Sequence, residues 1–136
     1  MRARRPIPYK RRRRVALAQL DGVVGDVRGN LDRVRAAYQK AIGLGAELVL
    51  TPELSLGGYP PRDLLEQPDF VRANRQALAV LAKDTRSVGL VAGFVEANPA
   101  PRGRAVFNSA ALLHEGKVLA TRRKCLLPTY DVFDEV

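Results

Sequence analysis

The stretch Glu47-Leu-Val-Leu-Thr-Pro-Glu53 decides how the rest of the chain is interpreted. Its apolar run is short and is bounded by polar residues and a proline, a pattern typical of a strand buried inside a sheet. The proline ends the strand, so Glu53 is expected just beyond its carboxyl end. Open α/β sheets bind their ligands at this edge, and the sequence therefore predicts an acidic side chain where a site can form.

Strand and helix patterns alternate on both sides of this stretch. Residues 15–20 predict a first buried strand, and the apolar residues that follow recur at helical spacing. Asn30 is predicted to cap that helix, which Gly43 and Gly45 end. Further along the chain a second helix, a third strand and a hairpin are predicted at residues 69–85, 88–95 and 106–121. This order predicts the α/β class, in which helical crossovers join parallel strands before an antiparallel hairpin.

The positive charge of the chain is concentrated in its first residues. Lys and Arg number 23 against 14 Asp and Glu, a net charge of +9, and eight of the basic residues fall in residues 1–14 with no acidic one. We therefore divide the chain into a basic tail at residues 1–13, expected to be disordered, and a nearly neutral domain at residues 14–136. A small basic nucleic-acid-binding protein stays an alternative, although the neutral body does not favour nucleic acid as a partner.

The sequence predicts no membrane helix, no internal disulfide and no metal site. No apolar run approaches the roughly 20 residues of a membrane helix, so no membrane partner is expected. Cys125 and His114 are the single cysteine and the single histidine, which rules out an internal disulfide and predicts no metal site. A lone cysteine is consistent with a reducing compartment, and we expect a cytoplasmic protein.

Three features indicate chemistry, and each has a plainer interpretation. Glu53 is a candidate general base at a strand end, or else a solvated loop carboxylate. Lys124 can direct its ammonium at charge that develops on a carbonyl oxygen, or else it lies on the surface. The irregular stretch 128–135 combines Tyr130 and Phe133 with three acids, which indicates either a pocket wall or ordinary packing.

Taken together, these motifs resemble the carbon–nitrogen hydrolase, or nitrilase, superfamily. The resemblance is carried, in chain order, by residues 15–20, 25–30, 50–53, 57–64, 107–111 and 124–135. The elements Gly57-Gly-Tyr-Pro-Pro-Arg-Asp-Leu64 and Leu127-Pro-Thr-Tyr-Asp-Val-Phe-Asp-Glu135 are similar, more narrowly, to the glutaminase domain of NAD⁺ synthetases. The resemblance implies part of a nitrilase-type α-β-β-α sandwich with a Glu–Lys–Cys catalytic triad.

The resemblance also implies a role for particular residues. Glu53 matches the general base of the family and Lys124 its oxyanion-stabilising lysine. Four further residues match substrate-binding or neighbouring positions: Tyr130 the glutamine-binding tyrosine, Tyr59 and Phe133 aromatics that line the pocket, and Glu135 an acid near the triad.

The nucleophile of the family has no match in these residues. It lies in a motif like Ile-Cys-Glu-Asp, which the sequence does not contain. Cys125 adjoins Lys124, and neighbouring side chains of an extended segment point to opposite sides, so Cys125 is predicted to be a buried structural thiol. We therefore expect that the chain ends before the strand that carries the catalytic thiolate, and that these residues alone hydrolyse no glutamine.

For a complete enzyme the resemblance implies a defined reaction and defined partners. L-Glutamine is hydrolysed at its side-chain amide, and the ammonia passes to a synthetase domain in cis that converts nicotinic acid adenine dinucleotide to NAD⁺. ATP and Mg²⁺ belong to that synthetase domain, no cofactor is implied for the glutaminase domain, and a homo-oligomer is expected. Another amidase or carbamoylase of the superfamily and a non-catalytic remnant stay as alternatives.

Overall fold

A computed structural model describes residues 12–126 of the chain. Over that range the elements are, in order, β1 (Val15–Leu17), α1 (Val27–Gly43), β2 (Leu48–Leu50), a 3₁₀ helix (Arg62–Glu66), α2 (Pro68–Asp84), β3 (Gly89–Ala97), β4 (Val106–His114) and β5 (Lys117–Arg123). The predicted basic tail at residues 1–13 lies outside the described residues except for its last two.

One mixed sheet contains all the strands of residues 12–126, in the spatial order β1-β2-β3-β4-β5. β1, β2 and β3 run parallel, with α1 and α2 as the connections between them, whereas β4 and β5 continue the sheet antiparallel. The hairpin turn forms at Glu115 and Gly116, whose φ angles of 48° and 78° suit the type I′ geometry that matches strand twist. The predicted α/β class is confirmed.

The predicted cap of α1 was wrong. The helix begins at Val27, and its N-cap is Asp26, whose side chain accepts a backbone N–H of the first turn. Asn30 is instead buried within that turn, where its Nδ2 donates to the carbonyl oxygens of Val23 at 2.7 Å and Leu56 at 3.2 Å. Asp26 and Asn30 both have side chains that can cap a helix. Asn30 does not cap α1 because its side chain binds carbonyl oxygens of loops outside the helix.

Both helices cover one face of the sheet. The alternate residues of β3 and β4 that point to this face are buried, namely Leu90, Ala92, Phe94, Ala111 and Leu113. Tyr38 of α1 is also buried, and its hydroxyl donates to the Val88 carbonyl at 2.6 Å. Each large apolar side chain buried in this layer contributes about 1.5–3 kcal/mol, so packing of the helices on the sheet is a large stabilising contribution.

The opposite face of the sheet is only partly covered within residues 12–126: Val95, which points to it, is buried, whereas other apolar side chains on it are exposed. Leu17 is 75% exposed, and Ala110, which alternates with the buried residues of β4, is exposed as well. A partly uncovered apolar face favours association, so aggregation or loose packing of the isolated chain stays a prediction. No helix in the described range has the length and apolarity that crossing a membrane demands.

Candidate active site

Glu53 lies in a series of turns that follows β2 directly and is attached to β3. The Thr51 amide donates to β3 at 3.1 Å, and the Leu56 amide donates to the Gly93 carbonyl at 3.1 Å. Ser55 Oγ donates to the same carbonyl and accepts from the Gly93 amide, both at 3.2 Å. With contacts on both sides of Glu53, the backbone that carries the carboxylate has little freedom to move.

The turn around Glu53 lies directly on the backbone of Gly93. A Cβ atom at Gly93 would be 2.5 Å from the Leu54 amide nitrogen and 2.8 Å from the Pro52 carbonyl oxygen. Leu54 itself has a φ of 47°, which is uncommon for a side chain of its size, and that side chain is buried. The space left by the absent side chain of Gly93 and the burial of Leu54 together hold the turn in a strained conformation, which exposes Glu53.

Lys124 meets Glu53 although 71 positions separate them. It is the first residue after β5, and its amide donates to the Asn108 carbonyl of β4 at 2.8 Å. Its Nζ donates to Glu53 Oε1 at 2.7 Å, and Asn108 Nδ2 donates to the same oxygen at 2.5 Å. The Glu53 and Lys124 side chains are 44% and 30% exposed, so a ligand can reach both.

Residues of β3, β4 and β5 form a second polar cluster on the face of the sheet opposite to Glu53 and Lys124. Arg123 is bound by Glu96 through Nε and through Nη2 at 2.7 Å, and its guanidinium lies 4.0 Å from the centroid of the Phe107 ring. Ser109 Oγ donates to Glu96 at 2.6 Å. Since Arg123 directly precedes Lys124, the two side chains point to opposite faces of the sheet, and this cluster lies on the face away from the candidate site.

The pKa values of this cluster reflect the ion pair. Hydrogen bonds from the Arg123 guanidinium are the largest cause that lowers the pKa of Glu96; burial opposes them and Ser109 assists. The pKa of Arg123 is raised, chiefly by its hydrogen bonds to Glu96. A lowered carboxyl pKa in the folded state stabilises the protein above the unfolded value, and the contribution is lost as pH falls through the folded pKa.

Glu96→Gln is therefore expected to weaken the folded state at neutral pH and to flatten the acid side of its stability profile. We expect the wild-type free energy of unfolding to fall as pH is lowered below about 5, and that of the variant to change less. Urea unfolding of the full-length polypeptide between neutral and acid pH measures both. Glu66→Gln, at an exposed position of the 3₁₀ helix, is the control; equal slopes for Glu96→Gln and wild type would contradict the role of the ion pair.

Of the other four predicted site residues, one lies within the described range. Tyr59 is half-buried and packs against the hydrophobic core, while Tyr130, Phe133 and Glu135 lie outside residues 12–126. Among the described residues, no group of three His, Cys, Asp or Glu side chains could hold a metal ion.

Cys125 is exposed, so the prediction of a buried thiol was wrong. It lies beyond the last residue of β5, the edge strand of the described sheet. Its Sγ contacts the Arg123 carbonyl at 3.5 Å.

Asn108 and Gly93 are the residues of the site that the sequence did not single out. In the sequence Asn108 is only one residue of the motif at 107–111, and Gly93 is one residue of an apolar strand. Their importance comes from contacts across strands, for which a single sequence carries no local signal.

The fold and this geometry define an α/β domain with a carboxylate–ammonium pair, in which Glu53 lies just beyond the carboxyl end of β2 and Lys124 just beyond that of β5. The family model for carbon–nitrogen hydrolases matches residues 14–136, and the chain belongs to that family. The family resemblance seen in the sequence is thereby confirmed.

Several curated proteins similar to this chain are glutamine-dependent NAD(+) synthetases. The glutamine-dependent NAD(+) synthetase of Xanthomonas campestris pv. campestris is 45% identical over 123 residues, which cover 90% of this chain and 22% of that protein. The Thermotoga maritima protein of the same name is 40% identical over 127 residues, or 92% of this chain and 21% of that one. The chain thus spans about a fifth of the length of these curated relatives.

Solved structures agree with the sequence relatives. Glutamine-dependent NAD⁺ synthetase from Acinetobacter baumannii superposes with a TM-score of 0.79 at 36% identity, covering 89% of this chain and 22% of that one. An amidase from Nesterenkonia sp. superposes with a TM-score of 0.71 at 33% identity, covering 89% of this chain and 45% of that one. The sheet and helices described above are therefore shared with nitrilase-fold proteins.

Proposed function

We propose that this chain forms part of a glutaminase site, which hydrolyses the side-chain amide of L-glutamine. In this proposal the ammonia passes to a synthetase domain in cis, which amidates nicotinic acid adenine dinucleotide to NAD⁺ with ATP and Mg²⁺. The observation that carries the proposal is the 2.7 Å contact between Lys124 Nζ and Glu53 Oε1 at the carboxyl edge of the parallel strands. The identity to glutamine-dependent NAD(+) synthetases over about nine-tenths of the chain supports it.

The proposed reaction needs a thiolate that these residues do not supply. Amidases from Nesterenkonia sp. offer a precedent, since their structures include adducts formed at the active site cysteine. In the proposed mechanism a cysteine from a further segment attacks the amide carbon, and Glu53 accepts the thiol proton. The carbon–sulfur bond forms, the carbon–nitrogen bond breaks, and Glu53 passes the proton to the departing ammonia. Water activated by the same carboxylate then hydrolyses the thioester and releases glutamate.

Lys124 has the charge and the position to stabilise the tetrahedral oxyanion. Its ammonium is fixed beside Glu53, so it needs little reorganisation when charge develops on the carbonyl oxygen. One such donor is worth about 3–4 kcal/mol in the transition state.

Four further residues complete the proposal on the strength of the family resemblance. Tyr130 binds glutamine, Tyr59 and Phe133 line its pocket, and Glu135 lies near the triad. We further propose a homo-oligomer in the cytoplasm and no cofactor in the glutaminase domain.

The test is substrate preference of the full-length polypeptide that contains these residues. Ammonia release from glutamine, acetamide and an N-carbamoyl amino acid is measured at matched concentrations. Because a site that hydrogen-bonds the polar end of its substrate rejects analogues without it, kcat/KM for glutamine should exceed the others by about 10⁴-fold. A preference for acetamide would favour an aliphatic amidase, the second candidate, which the structural likeness to the Nesterenkonia amidase supports.

A further inference from the structure

Asn108 contacts both members of the candidate catalytic pair through different groups. Its backbone carbonyl oxygen accepts a hydrogen bond from the Lys124 backbone amide at 2.8 Å, and its side-chain Nδ2 donates one to Glu53 Oε1. Asn108 lies in β4, which is hydrogen-bonded to β3 on one side and to β5 on the other. A residue anchored in the interior of the sheet therefore sets the distance between two side chains that extend from its edge.

The contacts of Glu53 are divided unequally between its two oxygens. The hydrogen bonds from Asn108 and from Lys124 both fall on Oε1, and Oε2 accepts none from residues 12–126. The Asn108 amide has donors on one side and an acceptor on the other, and turning Oδ1 to the carboxylate would bring two oxygens together. The asparagine therefore selects one orientation of the carboxylate, with Oε1 saturated by donors and Oε2 available to a proton.

We propose that Asn108 is a positioning residue for the amide hydrolysis inferred above, on which this assignment rests. It holds Glu53 so that Oε2 is the oxygen that takes the thiol proton and returns it to the leaving ammonia. It also keeps Lys124 beside Oε1, from where the ammonium reaches the oxyanion. Asn108 touches neither substrate nor nucleophile in this role, and its effect is transmitted through the orientation of the carboxylate.

The first test is steady-state glutamine hydrolysis by the full-length polypeptide with Asn108→Ala or Asn108→Asp. For Asn108→Ala kcat should fall about 10- to 100-fold, the size expected for a hydrogen bond to a charged group, with KM changed less than about threefold. Asn108→Asp has the same shape but replaces the donor by a second carboxylate, so its loss should be larger. The control is Ser109→Ala, which removes a hydrogen bond from the adjacent residue on the opposite face and should leave kcat within about threefold.

Equal losses of kcat in Asn108→Ala and Ser109→Ala, or a loss confined to KM, would overturn the assignment. A crystal structure of the full-length Asn108→Ala variant gives a readout that needs no activity: the Glu53 carboxylate should rotate so that Lys124 contacts both oxygens. Retention of the contact at Oε1 alone would also overturn it. If the wild type releases no ammonia from glutamine, the proposed function fails, whereas the crystallographic result still decides whether Asn108 orients the carboxylate.

Discussion

Glu53→Gln is expected to lower the turnover of glutamine by the full-length polypeptide by about 10²- to 10⁴-fold, the range for removal of a general base. The substitution keeps the size of the side chain, and the amide oxygen of glutamine can still accept from Asn108 and Lys124. The packing of the turn is therefore preserved while proton transfer is lost. Single-turnover and steady-state ammonia release measure the effect.

Glu47→Gln is the matched control for this experiment. Glu47 precedes the same strand, β2, at the opposite end, and it pairs with Arg13 at 2.7 Å on the surface. An exposed pair of this kind contributes about 0–1 kcal/mol, so activity should stay within about twofold of wild type. Turnover by Glu53→Gln near the wild-type rate would remove Glu53 from the mechanism, and a similar loss in Glu47→Gln would point to a general effect on folding.

The elements of the fold could be predicted because their signals are local. The apolar run of β2 and the helical spacing of α1 and α2 are set by residues a few positions apart, and strand order follows from the crossovers. The residue at which a helix begins is harder to predict from the sequence. Asp26 and Asn30 both have side chains that can cap a helix. Asp26 is the cap of α1, whereas the side chain of Asn30 binds the carbonyl oxygens of Val23 and Leu56 instead.

The site could be predicted only in its charged residues. Glu53 was indicated by a proline at the end of a buried strand, and Lys124 by the motif that contains it. Their neighbours depend on register: Asn108 faces the site because β4 pairs with β5 so that Ser109 lies opposite Arg123. A shift of one residue would turn every side chain of the strand to the other face, and a single sequence does not display that register.

The register also explains why the two polar clusters do not interfere. Phe107 and Ser109 point toward the face where Glu96 binds Arg123, whereas Asn108 between them points toward Glu53. The Glu96–Arg123 pair neutralises its own charges, so Lys124 is left to interact with the acid on its own face. Alternation along one strand thus separates a stabilising ion pair from a candidate catalytic one.

Gly93→Ala is expected to disrupt the candidate site by moving the turn that carries Glu53. The added Cβ would approach the Leu54 amide nitrogen and the Pro52 carbonyl oxygen to 2.5 and 2.8 Å, and both belong to backbone that cannot rotate away. The turn must therefore shift as a unit, which breaks its bonds to β3. Overpacking of this kind costs about 1–3 kcal/mol of stability, and a displacement near 1 Å at a catalytic group can reduce turnover about 100-fold.

Gly43→Ala separates this steric effect from the general effect of replacing a glycine. Gly43 ends α1, and a Cβ there meets nothing within 4 Å, so alanine should leave stability unchanged or raise it by up to about 1 kcal/mol. Urea unfolding and ammonia release by the full-length polypeptide are measured for both variants. Loss of activity in Gly93→Ala should exceed what its loss of stability explains, because the folded fraction still presents Glu53 in the wrong place. Full activity at wild-type stability would show that the turn tolerates a side chain beneath it and that its contact with β3 does not position the carboxylate.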